Sequence, residues 1–456
     1  MKIAVFSSSG NGGDSKFMSP YHFFPSRADE WDEISRLFPE HEFKVYMSLH
    51  GGSFIDEDGK KILIHSEKVP YTIIPVEYGI DEIVDLIMTD QPDIAVALTT
   101  PIIPYDWGAV RDSLVAEGLR EKGVKVIAHS TQLSEEAFEK HKINARLRDL
   151  GFPVPEGVFV NKKLYNAHKE EPDIMRNAYR DFINKRIEKL AFPVIIKCDS
   201  GAGSEGLSVA KCLDEAVEIL DNDESGMDMI VEEKIEGINF GAEIYGADGR
   251  YCFKGPIIFS SNANGVIDPF AGVKYGPVTG KEYKVDELKT QLLSLAEKLG
   301  FCGGVEIDLM FTGSEWYIIE INPRFSLMSM LTAAIDGRNI FINYLEPAIS
   351  GISDVPAPVI KPGFDFKTAV YEEKVISDLC RDFRSIKSAM RLRLYEGGCV
   401  VVYTELTVGG FDDPKELIEE LGKMKACYPD VISDKIIDSA KDVIHYLDPA
   451  NSVLVW

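Results

Sequence analysis

The sequence predicts a mixed fold, with a parallel α/β region at its start and α+β regions after it. Three observations support this. In residues 1–130, apolar strand patterns alternate with helical patterns, which is typical of a parallel sheet covered by helices. A long hairpin pattern at 301–326 indicates antiparallel strands in the middle of the chain. After a proline-rich linker at 351–363, strand patterns precede helical ones, which indicates an α+β domain.

The alternation in the first region predicts individual elements. Strand patterns lie at 2–6, 43–49, 93–100 and 125–130, and helical patterns lie at 29–38, 80–90 and 107–122. We therefore expect three domains, at 1–130, 131–350 and 351–456. The last one should end in a strand at 451–456, and it could cap the active site or form a homodimer.

Composition limits the classes of partner. The chain has 456 residues, 45% of them hydrophobic, which is enough for two to four domains with real cores. It carries 49 basic and 74 acidic residues, a net charge of −25. Such an excess of negative charge disfavours nucleic acid and acidic membrane surfaces as partners. A local basic pocket for one polyphosphate stays compatible with it.

The cysteines and the apolar runs predict a cytoplasmic protein. Seven cysteines are scattered without a C-x-x-C pair, and an odd number of reduced thiols fits the cytoplasm. Only four consecutive apolar residues follow Met1 and Lys2, too few for a signal-peptide core. No run approaches the ~18 apolar residues of a membrane helix. We expect no membrane partner.

Two loops of the first domain are candidates for binding a substrate. Ligands of open parallel sheets bind at the carboxyl ends of the strands, and the loops Ser7–Ser15 and Thr99–Asp106 follow such ends. The glycines of the first loop lack the G-x-G-x-x-G spacing of dinucleotide sites. An ordinary turn stays an alternative for that loop.

A glycine-rich loop at 199–206 has the pattern of a phosphate-binding flap. The preceding strand ends at Lys197, and a second strand, LSVAK, returns after the loop. The loop lacks G-K-[ST] and is followed by a strand, so it is not a P-loop. A flap of this kind lays backbone N–H groups over phosphates, with Lys197 as a point charge. The loop residues proposed for this role are Gly201, Gly203, Ser204 and Gly206. An ordinary glycine hairpin is the alternative.

The hairpin at 301–326 is predicted to have one acidic and one apolar face. If Gly313 is the centre of its turn, Glu306 lies directly across from Glu320. The acidic face would then carry Glu306, Asp308, Glu320 and Asn322. The apolar face would carry Val305, Ile307, Leu309, Phe311, Tyr317, Ile319 and Ile321.

The acidic face of this hairpin predicts a cation site. Carboxylates that face each other across two strands repel, so the arrangement is unfavourable unless a cation lies between them. Oxygen ligands suit Mg²⁺, which takes its remaining ligands from water and substrate phosphates. Pro323 ends the strand, and Arg324 follows with a guanidinium that suits a phosphate or carboxylate. A solvated acidic face is the alternative.

The segment E-I-N-P-R after V-E-I-D-L resembles the signature of the ATP-grasp ligases. This resemblance implies the ATP-grasp fold, with lobes at 131–258 and 259–350 that hold ATP between them. It also implies that Glu306, Glu320 and Asn322 bind the Mg²⁺ of ATP, with Mn²⁺ as an alternative ion, and that Arg324 contacts the reacting carboxylate or phosphate. The nucleotide module is similar to those of carbamoyl phosphate synthetase and biotin carboxylase.

Two further segments resemble the same family. A helix is predicted from an N-cap at Ser134 to Gly151, and its K-x-x-x-R-x-x-x-L pattern implies that Lys142 touches the α-phosphate. The V-E-E-x-I-x-G segment implies adenine or ribose contacts at Glu232, Glu233 and Ile235. Asn239 departs from the family, which often has a ribose-binding Glu at that position. For a lysine on a helix, solvated surface is the alternative.

The function implied by this resemblance is ATP-dependent ligation of a small carboxylate to an amine. The reaction would pass through an acyl phosphate and release an amide, ADP and phosphate. A basic residue, Lys274 or Lys281, could meet the acyl phosphate, although an exposed loop lysine is the alternative for each. Two other functions stay open: carboxylation of a small metabolite through carboxyphosphate, and a non-catalytic nucleotide-binding module that regulates a partner.

Overall fold

A computed structural model describes most of the chain. The described residues are 1–8, 18–48, 53–55, 61–63, 66–100, 107–167, 177–200, 207–261, 272–349, 358–396 and 399–447. Several predictions therefore lie outside the described residues: most of both candidate loops, the glycine-rich loop at 201–206 and the last strand at 451–456. Among the described residues, no helix is both long and apolar enough to cross a membrane.

The predicted parallel sheet forms at the start of the chain. Five strands pair in parallel in the order β6-β3-β1-β7-β8, and the four strands predicted there are among them. The elements are β1 (Lys2–Ser7), β2 (Met18–Phe24), α1 (Arg27–Leu37), β3 (Glu42–Ser48), β4 (Ser53–Ile55), β5 (Lys61–Leu63), β6 (Tyr71–Ile74), α2 (Ile80–Met88), β7 (Ile94–Ala97), α3 (Gly108–Glu121) and β8 (Lys125–Ile127). Strands β4 and β5 form a separate antiparallel pair.

A four-stranded antiparallel sheet follows, in the order β11-β10-β12-β9. The elements are α4 (Thr131–Phe138), α5 (Lys140–Asp149), β9 (Gly157–Val160), α6 (Lys162–Tyr165), α7 (Ala178–Ile187), β10 (Val194–Cys198), β11 (Ser208–Ala210), α8 (Leu213–Asn222) and β12 (Met229–Glu233). Strands β10 and β11 are the two strands predicted on either side of the glycine-rich loop.

The single helix predicted from Ser134 to Gly151 is wrong, because the chain is extended at Glu139 and forms two helices. Ser130, not Ser134, caps the first helix, accepting a hydrogen bond from Leu133 N. The second helix, α5, begins against the end of β10. Asp199 accepts hydrogen bonds there from Lys140 N, through its carbonyl, and from His141 N, through its carboxylate, both at 2.9 Å. The break between the two helices therefore places the start of α5 against the end of β10, the strand that precedes the glycine-rich loop.

The rest of the chain forms one nine-stranded sheet in the order β17-β16-β13-β14-β15-β18-β20-β19-β2. The elements are β13 (Ile238–Ala247), β14 (Arg250–Phe259), β15 (Lys274–Gly276), α9 (Val285–Leu299), β16 (Gly303–Phe311), β17 (Trp316–Asn322), α10 (Met328–Asp336), α11 (Ile342–Ile349), β18 (Gly363–Thr368), α12 (Glu373–Asp382), β19 (Ile386–Glu396), β20 (Cys399–Gly409), α13 (Pro414–Cys427) and α14 (Asp434–Leu447). A 3₁₀ turn lies at Lys281–Tyr283.

The nine-stranded sheet crosses the domain boundary predicted at residue 350. Strand β15 pairs with β18, so the strands on both sides of that residue share one ladder. Strand β2, from the start of the chain, pairs with β19 at the far edge. The largest core lies between this sheet and helices α9, α12, α13 and α14. On the other face, α10 and α11 pack towards the parallel sheet. The acidic hairpin is thereby held beside the carboxyl ends of β1 and β7.

Candidate active site

The predicted hairpin is formed by β16 and β17, but its register differs from the prediction. Phe311 pairs with Trp316, which makes the turn one residue longer, and a bulge near Leu309 adds a further residue to β17. Asp308 therefore lies across from Glu320, and Glu306 lies across from Asn322. The prediction that Glu306 faces Glu320 is wrong for this reason. All four side chains still share one face, because the paired positions alternate along the strand.

The same shift changes the apolar face of the hairpin. The four apolar residues predicted in β16 are buried in the core, as expected. In β17 the core positions are Trp316, Ile318 and Ile321. The placement of Tyr317 and Ile319 on the core face is therefore wrong, and both are only half-buried. The indole of Trp316 donates to Tyr283 O at 2.8 Å and packs on Phe311.

Two buried lysines lie next to the acidic face. Lys140 Nζ is 3.1 Å from Glu320 Oε1, and Lys197 Nζ is 2.8 Å from Glu232 Oε2. Burial alone would raise the pKa of Glu320, but the charges of Lys140 and Lys197 hold that pKa below its usual value. The pKa of Asp308 is raised well above its usual value, by burial first and then by the negative charges of Glu306 and Glu320.

This arrangement fits a divalent cation. The donors on the hairpin face are all carboxylate or amide oxygens, which is the set that Mg²⁺ prefers. Burial first, and then the charges of Glu306 and Glu320, raise the pKa of Asp308, so added positive charge beside it would favour its ionised form. Asp308, Glu320 and Asn322 are the residues that would hold the ion. Glu306, a predicted ligand, lies on the same face two residues before Asp308, across from Asn322.

Glu243 extends the acidic face to the next strand, β13, where it pairs with Glu306. Its buried carboxylate accepts hydrogen bonds from Ser329 Oγ at 2.6 Å and Thr332 Oγ1 at 2.5 Å, both on α10. Burial raises the pKa of Glu243 to about 7. Two hydroxyl groups of helix α10 thus connect that helix to the part of the acidic face that lies on β13.

The structure does not bring Lys142, the predicted phosphate contact, to the acidic face. Its side chain is 49% exposed, and its Nζ is 2.7 Å from Glu139. Lys140, two residues earlier, occupies the buried face of α5 together with Ile143, Asn144 and Leu147. Sequence analysis missed Lys140, although these four positions have the i, i+3, i+4, i+7 spacing of a buried helical face. That spacing was the signal that could have found it.

The predicted nucleotide-binding segment at the end of β12 lies beside Lys197. The carboxylate of Glu232 is buried and binds both Lys197 and Asn144 Nδ2, the latter at 2.5 Å. Glu233 accepts a hydrogen bond from Ala191 N at 2.8 Å, and Ile235 is half-buried. Asn239 is buried and donates to Ser261 Oγ at 2.5 Å. The predicted loop residues Gly201, Gly203, Ser204 and Gly206 lie outside the described residues.

Arg324 lies between the hairpin and the parallel sheet. Its guanidinium donates to Asn322 Oδ1 at 3.1 Å, and the next residue, Phe325, donates its N–H to Thr99 O at 2.9 Å. Arg324 lines a small cleft with Asn322, Glu320, Lys140 and Ser200. The predicted catalytic arginine therefore shares one cleft with two predicted metal ligands and with the newly found lysine.

The described ends of both candidate substrate loops meet beside Arg324. Thr99 Oγ1 and Ser8 N each donate to the buried carboxylate of Asp112 on α3, at 2.7 Å. Burial raises the pKa of Asp112 to about 6. The ends of β1 and β7 are thus held together where the parallel sheet faces the hairpin.

The two lysines proposed to meet an acyl phosphate lie in different places. Lys274 is on β15, and its Nζ is 2.7 Å from Glu405 and 3.6 Å from Asp365. The alternative of an exposed loop lysine is therefore wrong for Lys274. Lys281 is exposed in the 3₁₀ turn, which fits that alternative.

Comparisons with known proteins identify a known domain in the part of the chain that holds this cleft. Residues 137–327 match the ATP-grasp domain family. The chain is 26% identical over 322 residues to a carbamoyl-phosphate synthase of Methanobrevibacter smithii, covering 70% of this chain and 80% of that protein. It is 24% identical over 298 residues to a D-alanine–D-alanine ligase of Bacillus anthracis, covering 63% of this chain and 88% of that protein. The chain is also 20% identical to a carbamoyl phosphate synthase large chain of Neisseria meningitidis, but it covers only 25% of the length of that protein.

Solved structures show the same fold. The crystal structure of an L-amino acid ligase from Bacillus licheniformis superposes with a TM-score of 0.60 at 12% identity, covering 93% of this chain and 97% of that one. The biotin carboxylase domain of the 2-oxoglutarate carboxylase from Hydrogenobacter thermophilus superposes with a TM-score of 0.58 at 14% identity, covering 98% of both chains. That domain was crystallised with MgADP and bicarbonate.

Proposed function

We propose that this chain, which contains an ATP-grasp domain and has the ATP-grasp fold, is an ATP-dependent ligase that joins a small carboxylate to an amine. The observation that supports this most directly is the pairing of Asp308 with Glu320, beside Asn322 and Arg324. A module that only binds nucleotide would have no need of a half-buried, mutually repelling acid pair next to a guanidinium.

The charges of the cleft suit the binding of a triphosphate. Lys140 and Lys197 are buried, and each lies within 3.1 Å of an acid that orients it. Their ammonium groups would bind phosphate oxygens under the glycine-rich loop that follows β10. Mg²⁺, when bound by Asp308, Glu320 and Asn322, would neutralise charge on the β- and γ-phosphates. Glu306 would complete the acidic face behind these ligands.

The proposed reaction has two steps. A carboxylate oxygen attacks the γ-phosphorus, the bond from that phosphorus to the bridging oxygen breaks, and ADP leaves with an acyl phosphate formed. An amine then attacks the acyl carbon, the acyl–oxygen bond breaks, phosphate leaves and the amine loses a proton. Arg324 would hold the carboxylate and the transferring phosphoryl group in place during both steps. The products are an amide, ADP and phosphate.

A second candidate is carboxylation through carboxyphosphate, in which bicarbonate replaces the organic carboxylate of the first step. The chain is similar in fold to a biotin carboxylase domain that was crystallised with bicarbonate, and this similarity supports the second candidate. Ligation is preferred because the sequence relatives include a D-alanine–D-alanine ligase whose length this chain covers almost completely, at 88%. A cytoplasmic location and a homodimer remain predictions from the sequence.

A phosphate-release screen tests the proposal. The purified chain would be incubated with ATP, Mg²⁺ and pooled amino acids and small acids, in bicarbonate-depleted buffer and again with added bicarbonate. We expect many turnovers of phosphate release that require an organic acid and an amine together, without bicarbonate. Release that requires bicarbonate would assign carboxylation instead, and nucleotide binding without multiple turnover would contradict both enzymatic functions.

A further inference from the structure

A second cavity lies at the junction of α1, α10 and the edge of the nine-stranded sheet. Its volume is about 590 Å³, which is within the range of small-molecule sites. None of the residues that line it belongs to the cleft around Arg324. The cavity lies along α10, whose nine residues span roughly 13 Å from the hairpin side to the far end.

The cavity has a cationic side. Arg338, Lys361 and Lys387 all line it. Lys361 Nζ is 2.8 Å from the exposed Asp412, and Lys387 Nζ donates to Arg384 O at 2.9 Å. Burial lowers the pKa of Lys387, and the charge of Lys361 lowers it further. Two ammonium groups therefore repel each other here, and an anion between them would relieve the repulsion.

Arg338 gives an independent indication of a ligand. Its side chain is only 7% exposed, and one nitrogen, Nη1, lies 3.2 Å from Glu346. Its Nε is buried and has no hydrogen-bond partner among the described residues. A buried donor without a partner costs free energy unless a ligand or water binds it. The guanidinium belongs to a residue that lines the cavity, and its hydrogen-bonding capacity is only partly used.

The remaining wall is mainly apolar, with two acidic positions, Glu30 and Glu33, of which Glu30 is paired with Arg27. The carboxylate of Glu33 on α1 accepts a hydrogen bond at 2.9 Å from Nδ2 of Asn339, the residue that follows Arg338. An apolar body bound against this wall would be removed from water. The apolar side chains that line the cavity are Leu37, Met330, Ala333, Ala334, Ile340 and Ile342.

The structure assigns to this cavity a second small-molecule site, for an organic carboxylate with an apolar body, bound by Arg338 and Lys387. The site is separate from the reaction centre, but α10 contacts both. Met330, Ala333 and Ala334 line the cavity, while Ser329 and Thr332 of the same helix bind Glu243 behind the acidic hairpin. A ligand that shifts α10 would therefore change the hydrogen bonds between this helix and Glu243 behind the hairpin. Such a connection suits a regulatory site.

Calorimetric titration of the full chain tests this assignment. The probes are hexanoate, norleucine, which adds an α-ammonium group to the same carbon chain, and hexylamine, which replaces the carboxylate by an ammonium. We expect hexanoate or norleucine to bind and hexylamine not to bind. Tighter binding of norleucine than of hexanoate would show that the ligand class is an amino acid whose ammonium group meets Glu33.

Variants place the binding at the cavity. Lys387→Gln and Arg338→Gln should each weaken it by about tenfold or more, because each removes a charge-assisted hydrogen bond. Lys374→Gln, an exposed lysine on α12, is the matched control and should leave it unchanged. Arg324→Gln should also leave it unchanged, which separates this site from the reaction centre. The assignment is overturned if neither carboxylate binds, if hexylamine binds equally well, or if Lys387→Gln and Arg338→Gln, both folded, keep wild-type affinity.

Discussion

Two lysines on α5 that are only two positions apart differ in burial, and this difference predicts their roles. Lys140 is buried against Glu320, whereas Lys142 is half-exposed beside Glu139. We expect Lys140→Met to weaken ATP binding by about tenfold or more, because a phosphate contact is lost inside the cleft. Lys142→Met should leave the dissociation constant for ATP almost unchanged. Titration with a non-hydrolysable ATP analogue measures both, and equal effects of the two changes would contradict the assignment.

The acidic pair on the hairpin gives a second prediction at the same scale. Asp308→Asn and Glu320→Gln should each lower ATP turnover by about a hundredfold to a thousandfold, because each removes a metal ligand. The exposed Glu315, in the turn of the same hairpin, is the control, and Glu315→Gln should keep full turnover. Steady-state phosphate release measures the three variants.

Thermal unfolding separates this prediction from a loss of structure. Burial, and then the charges of two other acids, raise the pKa of Asp308, so asparagine at this position should leave the melting temperature without ligand unchanged or raise it. The increase in melting temperature on adding Mg²⁺ and ATP should disappear in the variant. An Asp308→Asn protein with wild-type turnover would refute the metal site.

At the scale of elements, Asp112 joins β1, β7 and α3, and its pKa of about 6 predicts how pH affects that junction. The pKa is raised by burial above its ordinary value, so the folded protein holds a proton that the unfolded chain releases. The free energy of unfolding should therefore fall as pH rises from about 4 to about 6, by an order of 3 kcal/mol, and stay constant above that.

The difference between wild type and Asp112→Asn isolates this contribution from other groups. Asparagine keeps the shape of the protonated carboxyl group and cannot ionise. We expect equal melting temperatures below pH 4 and a more stable variant at pH 7, measured by calorimetry across that range. A variant that is less stable than wild type at pH 7 would show that the ionised carboxylate stabilises the junction.

The sequence predicted the existence of most elements but not the register of the hairpin. Alternating residues in β16 predicted its two faces correctly, because the acidic and apolar positions there are unambiguous. In β17, Trp316 to Ile319 are all apolar, so alternation could not tell which residues face the core. Packing decides it: Trp316 donates to Tyr283 O and contacts Phe311 and Phe240. Partners this distant in sequence were invisible to a local pattern.

At the scale of the molecule, the motifs predicted the ATP-grasp domain that residues 137–327 match, but not how the sheets combine. The three-domain division followed a proline-rich linker, which is a local signal. The pairing of β15 with β18 and of β19 with β2 joins segments far apart in sequence, and each strand alone carries no mark of its partner. The substrates also could not be predicted, because their contacts come from several loops that no local sequence pattern brings together.

The continuous sheet predicts that residues 351–456 are required for folding. A chain ending at residue 350 would lose β18, β19 and β20, leaving β15 and β2 as unpaired edges. It would also lose helices α12, α13 and α14, whose apolar side chains complete the largest core. Exposed edges and core surface favour aggregation.

We expect the 1–350 fragment to be insoluble and co-expression of 351–456 to recover it as a complex, both measured by size-exclusion chromatography. A monodisperse 1–350 fragment with a cooperative unfolding transition would instead show that the two parts are independent domains, with the shared ladder a weak contact between them.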